Sequence, residues 1–331
     1  MEGGANRRGQ DEQKYHDQIA ARRLSTDTTA QRADPATHVI PLLRDRVAAR
    51  LPLLLPAQGQ GPARLQDSMR HALLVPGKRL RPLLTLLAAR RFGGDEAAAL
   101  DAGCAVEMIH AASLVLDDLP CMDNATLRRG RPATHHAFGQ DTAILAAIGL
   151  LNQAYGLLAA LPGVPEARRL RLVSLLAGAV GAQGLVGGQE IDLHARQEHV
   201  AETEVDELNH LKTGVLFVAA LEAGGVIAGA PEEALAGLRR FGRHLGLAFQ
   251  TLDDVLDTAA TPEAAGKDVG QDGGKPTLVS LFGTDAAWER AMDHLRLARQ
   301  EVSRAGQHDC QLAGLLDEVV AGLPLPAGRR A

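Results

Sequence analysis

Between Asp141 and Glu166 the chain carries no charged side chain. A run that long either crosses a bilayer or becomes a helix buried inside a bundle. Asn152 and Gln153 stand in its middle, Pro162 interrupts its far end, and much of it is Ala and Gly. These features favour a buried central helix over a membrane span. Such a helix has to be surrounded, and the composition says by what. β-Branched residues never alternate with polar ones over a long run, and aromatic residues make up only 3% of the chain. Ala and Leu dominate instead, which favours helices over strands. With 46% of 331 residues apolar, a large core can form.

Residues 1–35 are polar and charged and read as a disordered or loosely packed arm. Between residues 60 and 320 no linker is convincing, and no repeat of solenoid length is present, so one all-helical domain over 36–331 is expected. A first helix should run from about Thr37 to Leu54 and stop before Pro56. Val75-Pro76-Gly77 ends a second, and Pro82 suits the first turn of a third. A long helix follows over Glu96 to Asp118, then others over about 141–160, 166–186, 203–228, 231–258 and 285–304. Cys104, Cys121 and Cys310 are far apart and show no CxxC spacing, so neither a disulfide framework nor a zinc site is expected. The N-terminus lacks the apolar core of a signal peptide, and a cytoplasmic location fits. A net charge of −5 gives no reason to expect nucleic acid as a partner.

Two aspartate clusters carry the chemistry. The first is Asp117-Asp118-Leu-Pro-Cys-Met-Asp123 and the second Asp253-Asp254-Val-Leu-Asp257, each at the end of an apolar helical stretch. Asp253 and Asp257 are one helical turn apart and share a face with Gln250. The first cluster needs a different geometry, because six residues of ideal helix would turn Asp123 away from Asp117. Pro120 disfavours the helical state at Leu119, so the helix should end there and fold Asp123 back towards Asp117. Like charges at the end of an apolar helix repel one another and are costly to desolvate. A divalent cation removes the conflict, and magnesium is commonly held by carboxylates together with substrate phosphates. One DDxxD alone is more often a solvated helix end; two such clusters after Leu-rich helices are not.

Basic residues accompany the acids. Lys78, Arg79 and Arg81 precede a helix start, where backbone N–H groups also favour anions. Arg128 and Arg129 follow the first cluster, Lys212-Thr213-Gly214 lies within an apolar helix, and Lys267 and Lys275 follow the second cluster.

Together these residues resemble the trans-isoprenyl diphosphate synthases, over roughly residues 60 to 285. Gly77-Lys78-Arg79-Leu80-Arg81-Pro82 matches the family's GKRxRP element, and Gly188-Gln189-Glu190-Ile191-Asp192 its GQxxD element. The two aspartate clusters and Lys212-Thr213 match the remaining motifs. The resemblance implies an isoprenoid synthase fold: a bundle of long helices around a deep central cavity, usually a homodimer. It implies that Asp117, Asp118, Asp123, Asp253 and Asp257 hold two or three Mg2+ around an allylic diphosphate. Arg128, Lys212 and Lys267 would contact that diphosphate, and Lys78, Arg81, His110 and Arg129 would bind isopentenyl diphosphate. Thr213 and Gln250 would stabilise the allylic cation.

In the family, residues just before the first motif limit product length. Ala112 and Ser113 are small and leave room beyond fifteen carbons, with Met108 and Ile109 as a floor one turn further. The stretch from Glu107 to Ser113 is similar to bacterial carotenoid-pathway geranylgeranyl diphosphate synthases, so a C20 product is expected and a C15 product is the alternative. Asn124-Ala125 stand where many relatives carry a further acid. A terpene cyclase would need one diphosphate site, and a non-catalytic synthase subunit would have lost acidic ligands. The second DDxxD and the Lys78–Arg81 element argue against both.

Overall fold

The structure is a computed structural model that describes residues 35–194, 202–259, 277–304 and 310–321. Most of the expected arm and the loop carrying Lys267 and Lys275 therefore lie outside the described residues. Thirteen α-helices and one two-stranded hairpin are found among the described residues. The helices are α1 (Pro35–Arg50), α2 (Ala63–Leu73), α3 (Leu80–Arg91), α4 (Glu96–Asp117), α5 (Thr134–Phe138) and α6 (Gln140–Ala159). They continue with α7 (Glu166–Val180), α8 (Leu185–His194), α9 (Glu202–Asn209), α10 (Val215–Ala228), α11 (Glu232–Ala259), α12 (Leu278–Arg304) and α13 (Cys310–Ala321). A π-helical turn, His210–Gly214, joins α9 to α10. Strands β1 (Leu127–Arg128) and β2 (Arg131–Pro132) pair antiparallel between α4 and α5.

The long helix carrying the first aspartates is specified at both ends. Asp95 caps α4 by accepting hydrogen bonds from the N–H groups of Ala97 (2.7 Å) and Ala98 (3.2 Å). Its C-terminus falls at Asp117, just before Pro120, as expected. Ala and Gly in α4 let its neighbours come close: a Cβ on Gly103 would lie 2.9 Å from Pro82 Cα. The same device seats α10 on α3, where a Cβ on Gly224 would lie 2.2 Å from the carbonyl oxygen of Thr85.

The centre of the bundle differs from the expectation. Helix α10 is buried on all sides from Val215 to Ile227, and packs against α3, α4, α7 and α11. Its Glu222 is the one charge there, paired with Arg239 at 2.7 Å. By contrast α6 buries only one stripe, Ala143, Ala146, Ala147, Leu150, Ala154 and Leu158. Ile144, Leu145 and Ile148 on its other side are 41%, 56% and 48% exposed. The uncharged run is thus not the central helix; it is an apolar wall with one face open. The physical reason is that absence of charge reports tolerance of burial on every side, not its presence.

One boundary also moves. The expected 166–186 helix ends at Val180, because Gly181 takes an extended conformation. Within α12 a short first segment from Leu278 is set off by non-helical backbone at Gly283, where φ is 84°, and the long helix runs on from there to Arg304, close to the expected 285–304. One hydrophobic cluster connects Ile40 on α1 to Val319 on α13.

Candidate active site

Three segments build the site: the end of α4 with its hairpin, the loop before α3, and the π turn against α11. At the first, the chain folds back after Asp118. Leu119 O accepts from the N–H of Met122 (2.9 Å) and of Asn124 (3.0 Å), and Asp123 N–H donates to Asp117 O at 2.9 Å. Asn124 takes φ 48°, a left-handed conformation that Asn tolerates better than most residues. The expected return of Asp123 to Asp117 is what the backbone does.

The acids are electrostatically frustrated. Burial pushes the Asp117 carboxyl up to about 7; Lys212 and Arg128 oppose the rise, and Asp123 and Asp118 add to it. Asp118 is buried and receives Arg128, whose Nε lies 2.9 Å from Oδ1 and whose Nη2 makes a second, shorter bond. A cation expected at phosphate and a carboxylate expected at metal therefore engage each other. The hairpin turn that carries the two arginines is tight, with φ 53° at Arg129 and 74° at Gly130.

The second cluster is tied to the π turn. Thr213 Oγ1 donates to Gln250 Oε1 at 2.6 Å, and Gln250 Nε2 donates to Asp254 Oδ1 at 2.8 Å. Lys212 Nζ bonds Asp192 Oδ2 at 2.7 Å. The Lys212 charge also opposes the rise at Asp117, so the π turn serves both acidic clusters. A π turn widens the helix locally and shifts side-chain register, which puts Lys212 and Thr213 on different partners. Asp192 and Asp254 were assigned no roles from the sequence; the GQxxD and DDxxD motifs contained them, but only the fold shows what they bond.

The loop before α3 supplies cations. Arg81 lies 4.8 Å from the Phe217 ring centre and Lys78 5.8 Å from that of Phe249, and the two rings are 5.4 Å apart. Burial lowers the Arg81 pKa to about 10, still charged at neutral pH; Glu107 opposes the shift and Arg129 adds to it. Arg81 Nε is buried and has no hydrogen-bond partner among the described residues, an arrangement that leaves a donor for an anion. His110 is held well below its ordinary pKa, first by burial and then by Arg81, Arg129, Arg128 and Arg79, and is neutral at pH 7. A Cβ on Gly77 would lie 2.7 Å from Arg129 Nη1, so glycine there admits the guanidinium.

Below the acids, Ala112, Met108 and Ile109 are fully buried, and Ser113 donates its hydroxyl to His110 O at 2.9 Å. A cleft beside α4 is lined by Ala111, Leu114, Val115, Asp118, Arg128 and Arg129. Among the described residues no three carboxylate, imidazole or thiol groups converge as a ready-made metal site.

The polyprenyl synthetase family profile matches residues 62–308. The chain belongs to the polyprenyl synthetase family. It is 46% identical over 269 residues to a geranylgeranyl diphosphate synthase of Pantoea ananas, covering 81% of this chain and 87% of that one. It is 40% identical over 266 residues to a farnesyl diphosphate synthase of Geobacillus stearothermophilus, covering 79% and 90%. Among solved structures, a geranyltransferase from Helicobacter pylori complexed with magnesium and isoprenyl diphosphate superimposes with a TM-score of 0.80 at 27% identity, over 88% of this chain and 99% of that one. As a polyprenyl synthetase the chain is a trans-prenyltransferase with the all-α isoprenoid synthase fold.

Proposed function

We propose that this polyprenyl synthetase joins allylic diphosphates to isopentenyl diphosphate with magnesium and makes a twenty-carbon product, geranylgeranyl diphosphate. The observation that carries the reading is the presence of two acidic clusters, the second tied to Thr213 through Gln250, beside a separate group of cations around Arg81, whose Nε is buried without a hydrogen-bond partner among the described residues. One diphosphate needs the first arrangement and a second diphosphate needs the other.

The donors of Asp117, Asp118, Asp123, Asp253 and Asp257 are all hard carboxylate oxygens, which fit magnesium. These carboxylates would hold two or three Mg2+, which when bound neutralise the charge that grows on departing pyrophosphate.

The protein's own residues do the rest. Arg128, Lys212 and Lys267 bind the allylic diphosphate, and release of Asp118 by Arg128 frees both groups for their roles. Lys78, Arg81 and Arg129 hold isopentenyl diphosphate, with neutral His110 beside them. The allylic carbon–oxygen bond breaks with its electron pair leaving on pyrophosphate, the double-bond electrons of isopentenyl diphosphate form the new carbon–carbon bond, and transfer of a proton to the released pyrophosphate restores a double bond. Oxygen dipoles of Thr213 and Gln250 face the transient cation. Ala112 and Ser113 admit the growing tail and Met108 with Ile109 stop it.

The exposed Ile144, Leu145 and Ile148 of α6 favour a homodimer over a free monomer. The continuous core supports one domain over 36–331, and a cytoplasmic, carotenoid-pathway role is the setting we infer. Product analysis of the purified chain with Mg2+, isopentenyl diphosphate and each allylic primer tests the reading. A C20 diphosphate supports it, a C15 product keeps the reaction and moves the floor, and no condensation with any primer overturns it.

A further inference from the structure

Arg79 stands between the two cations assigned to isopentenyl diphosphate, yet it points away from them. Its side chain is 6% exposed. Nη1 donates to Glu107 Oε1 at 2.7 Å, and Nη2 donates to the carbonyl oxygens of Leu73 (3.1 Å) and Val75 (2.6 Å). One guanidinium thus grips the end of α2, the loop that follows it and helix α4. The backbone accepts a left-handed φ of 51° at Arg79 to aim the side chain this way, a conformation unfavourable for a non-glycine residue.

Glu107 is the other half. It is 3% exposed, on the helix that ends in Asp117, and its charge also acts on Arg81 and Arg129. Three arginines therefore feel one buried carboxylate, and among the described contacts only the buried Arg79 bonds it directly. Arg's planar fork spans acceptors that lie apart in fixed directions, which the compact ammonium of Lys does not.

We infer that Arg79 and Glu107 are positioning residues for the isopentenyl diphosphate subsite: they touch no substrate, and they set the loop that aims Lys78 and Arg81. This inference rests on the reaction proposed above. The allylic subsite is built from the end of α4 and the π turn rather than from that loop, so the main effect should fall on isopentenyl diphosphate.

The test is calorimetric binding of isopentenyl diphosphate, and separately of geranyl diphosphate with Mg2+, to the full chain and its variants. Arg79→Lys keeps the charge and loses the three-way grip. It should weaken isopentenyl diphosphate about tenfold, a factor in line with small misplacements of binding groups, and leave geranyl diphosphate within about twofold. Glu107→Gln keeps an acceptor for Nη1 and should stay within about threefold for both ligands. Glu107→Ala should match or exceed Arg79→Lys; if it does not fold, the Arg79→Lys and Glu107→Gln pair decides. Equal weakening of both ligands in Arg79→Lys, or none, overturns the inference. So does a Glu107→Gln loss as large as that of Arg79→Lys, which would make the effect one of charge. If the unaltered chain binds no isopentenyl diphosphate, the proposed reaction fails and the inference goes with it; if it binds and the variants do not discriminate, only the inference fails.

Discussion

Asp123 N–H donates to Asp117 O at 2.9 Å, so two acids six positions apart in sequence are backbone neighbours in the fold. A continued helix would have turned them apart. The early stop before Pro120 and the left-handed Asn124 create the reversal. The first acidic cluster is therefore a loop geometry attached to a helix end, and its function depends on that loop.

Asp117→Ala and Asp253→Ala should each cut turnover by at least about a thousandfold, the scale of losing a group that stabilises developing charge. Melting temperature should hold in Asp117→Ala, because burial already opposes ionisation of that carboxyl. Steady-state kinetics with a thermal melt check both. Turnover within tenfold of the parent would remove that aspartate from the metal set.

Ala112→Phe should shorten the product. The side chain enters a fully buried position one turn below the acids, at a stability cost of about 1–3 kcal/mol for overpacking. Chromatography of the dephosphorylated products reads the chain length directly, and an unchanged product would refute the role of this position.

Leu145→Glu with Ile148→Glu should lower the mass in solution towards one chain, since both residues lie on the open apolar face of α6. Sedimentation velocity measures it. A parent chain that is already monomeric would refute the proposed dimer.

Gly224→Ala should destabilise by about 1–3 kcal/mol or more, because its Cβ would meet the Thr85 carbonyl oxygen at 2.2 Å. Gly237→Ala on α11 has only the mobile end of Arg240 within 4 Å, at 3.9 Å. It should stabilise by about 0.5–1 kcal/mol through helix propensity. Urea titrations of the two variants should move in opposite directions.

Acid should weaken the contact between α11 and α12. His244 and His294 face each other there with Nδ1 atoms 3.1 Å apart. Burial, then His244 and Arg290, lower the His294 pKa to about 4, while Asp293 opposes them. Because the folded value lies below the ordinary one, stability is full above about pH 6.5 and is lost as pH falls towards 4. Discounted for partial solvent access, the loss is about 1–2 kcal/mol. His294→Leu should flatten the fall in urea midpoint between pH 7 and 5; an undiminished slope would assign it elsewhere.

What was legible in the sequence was what short-range physics writes into it. Helix type, the stop at Pro120 and the shared face of Gln250, Asp253 and Asp257 all follow from residues within a few positions of one another. The two DDxxD clusters also marked the site, because concentrated like charge beside apolar helix has few uses without a cation. The sequence by itself determined these local states and their chemistry. Only the tertiary structure decided which helix lies at the centre, that Arg128 engages Asp118, that Lys212 engages Asp192, and that Arg79 turns inward to Glu107. Each of those partners is ten or more residues away, and a charge or an apolar stripe carries no record of which distant group will meet it. That choice belongs to packing, where close approach at glycines and the need to pair buried charge select one arrangement.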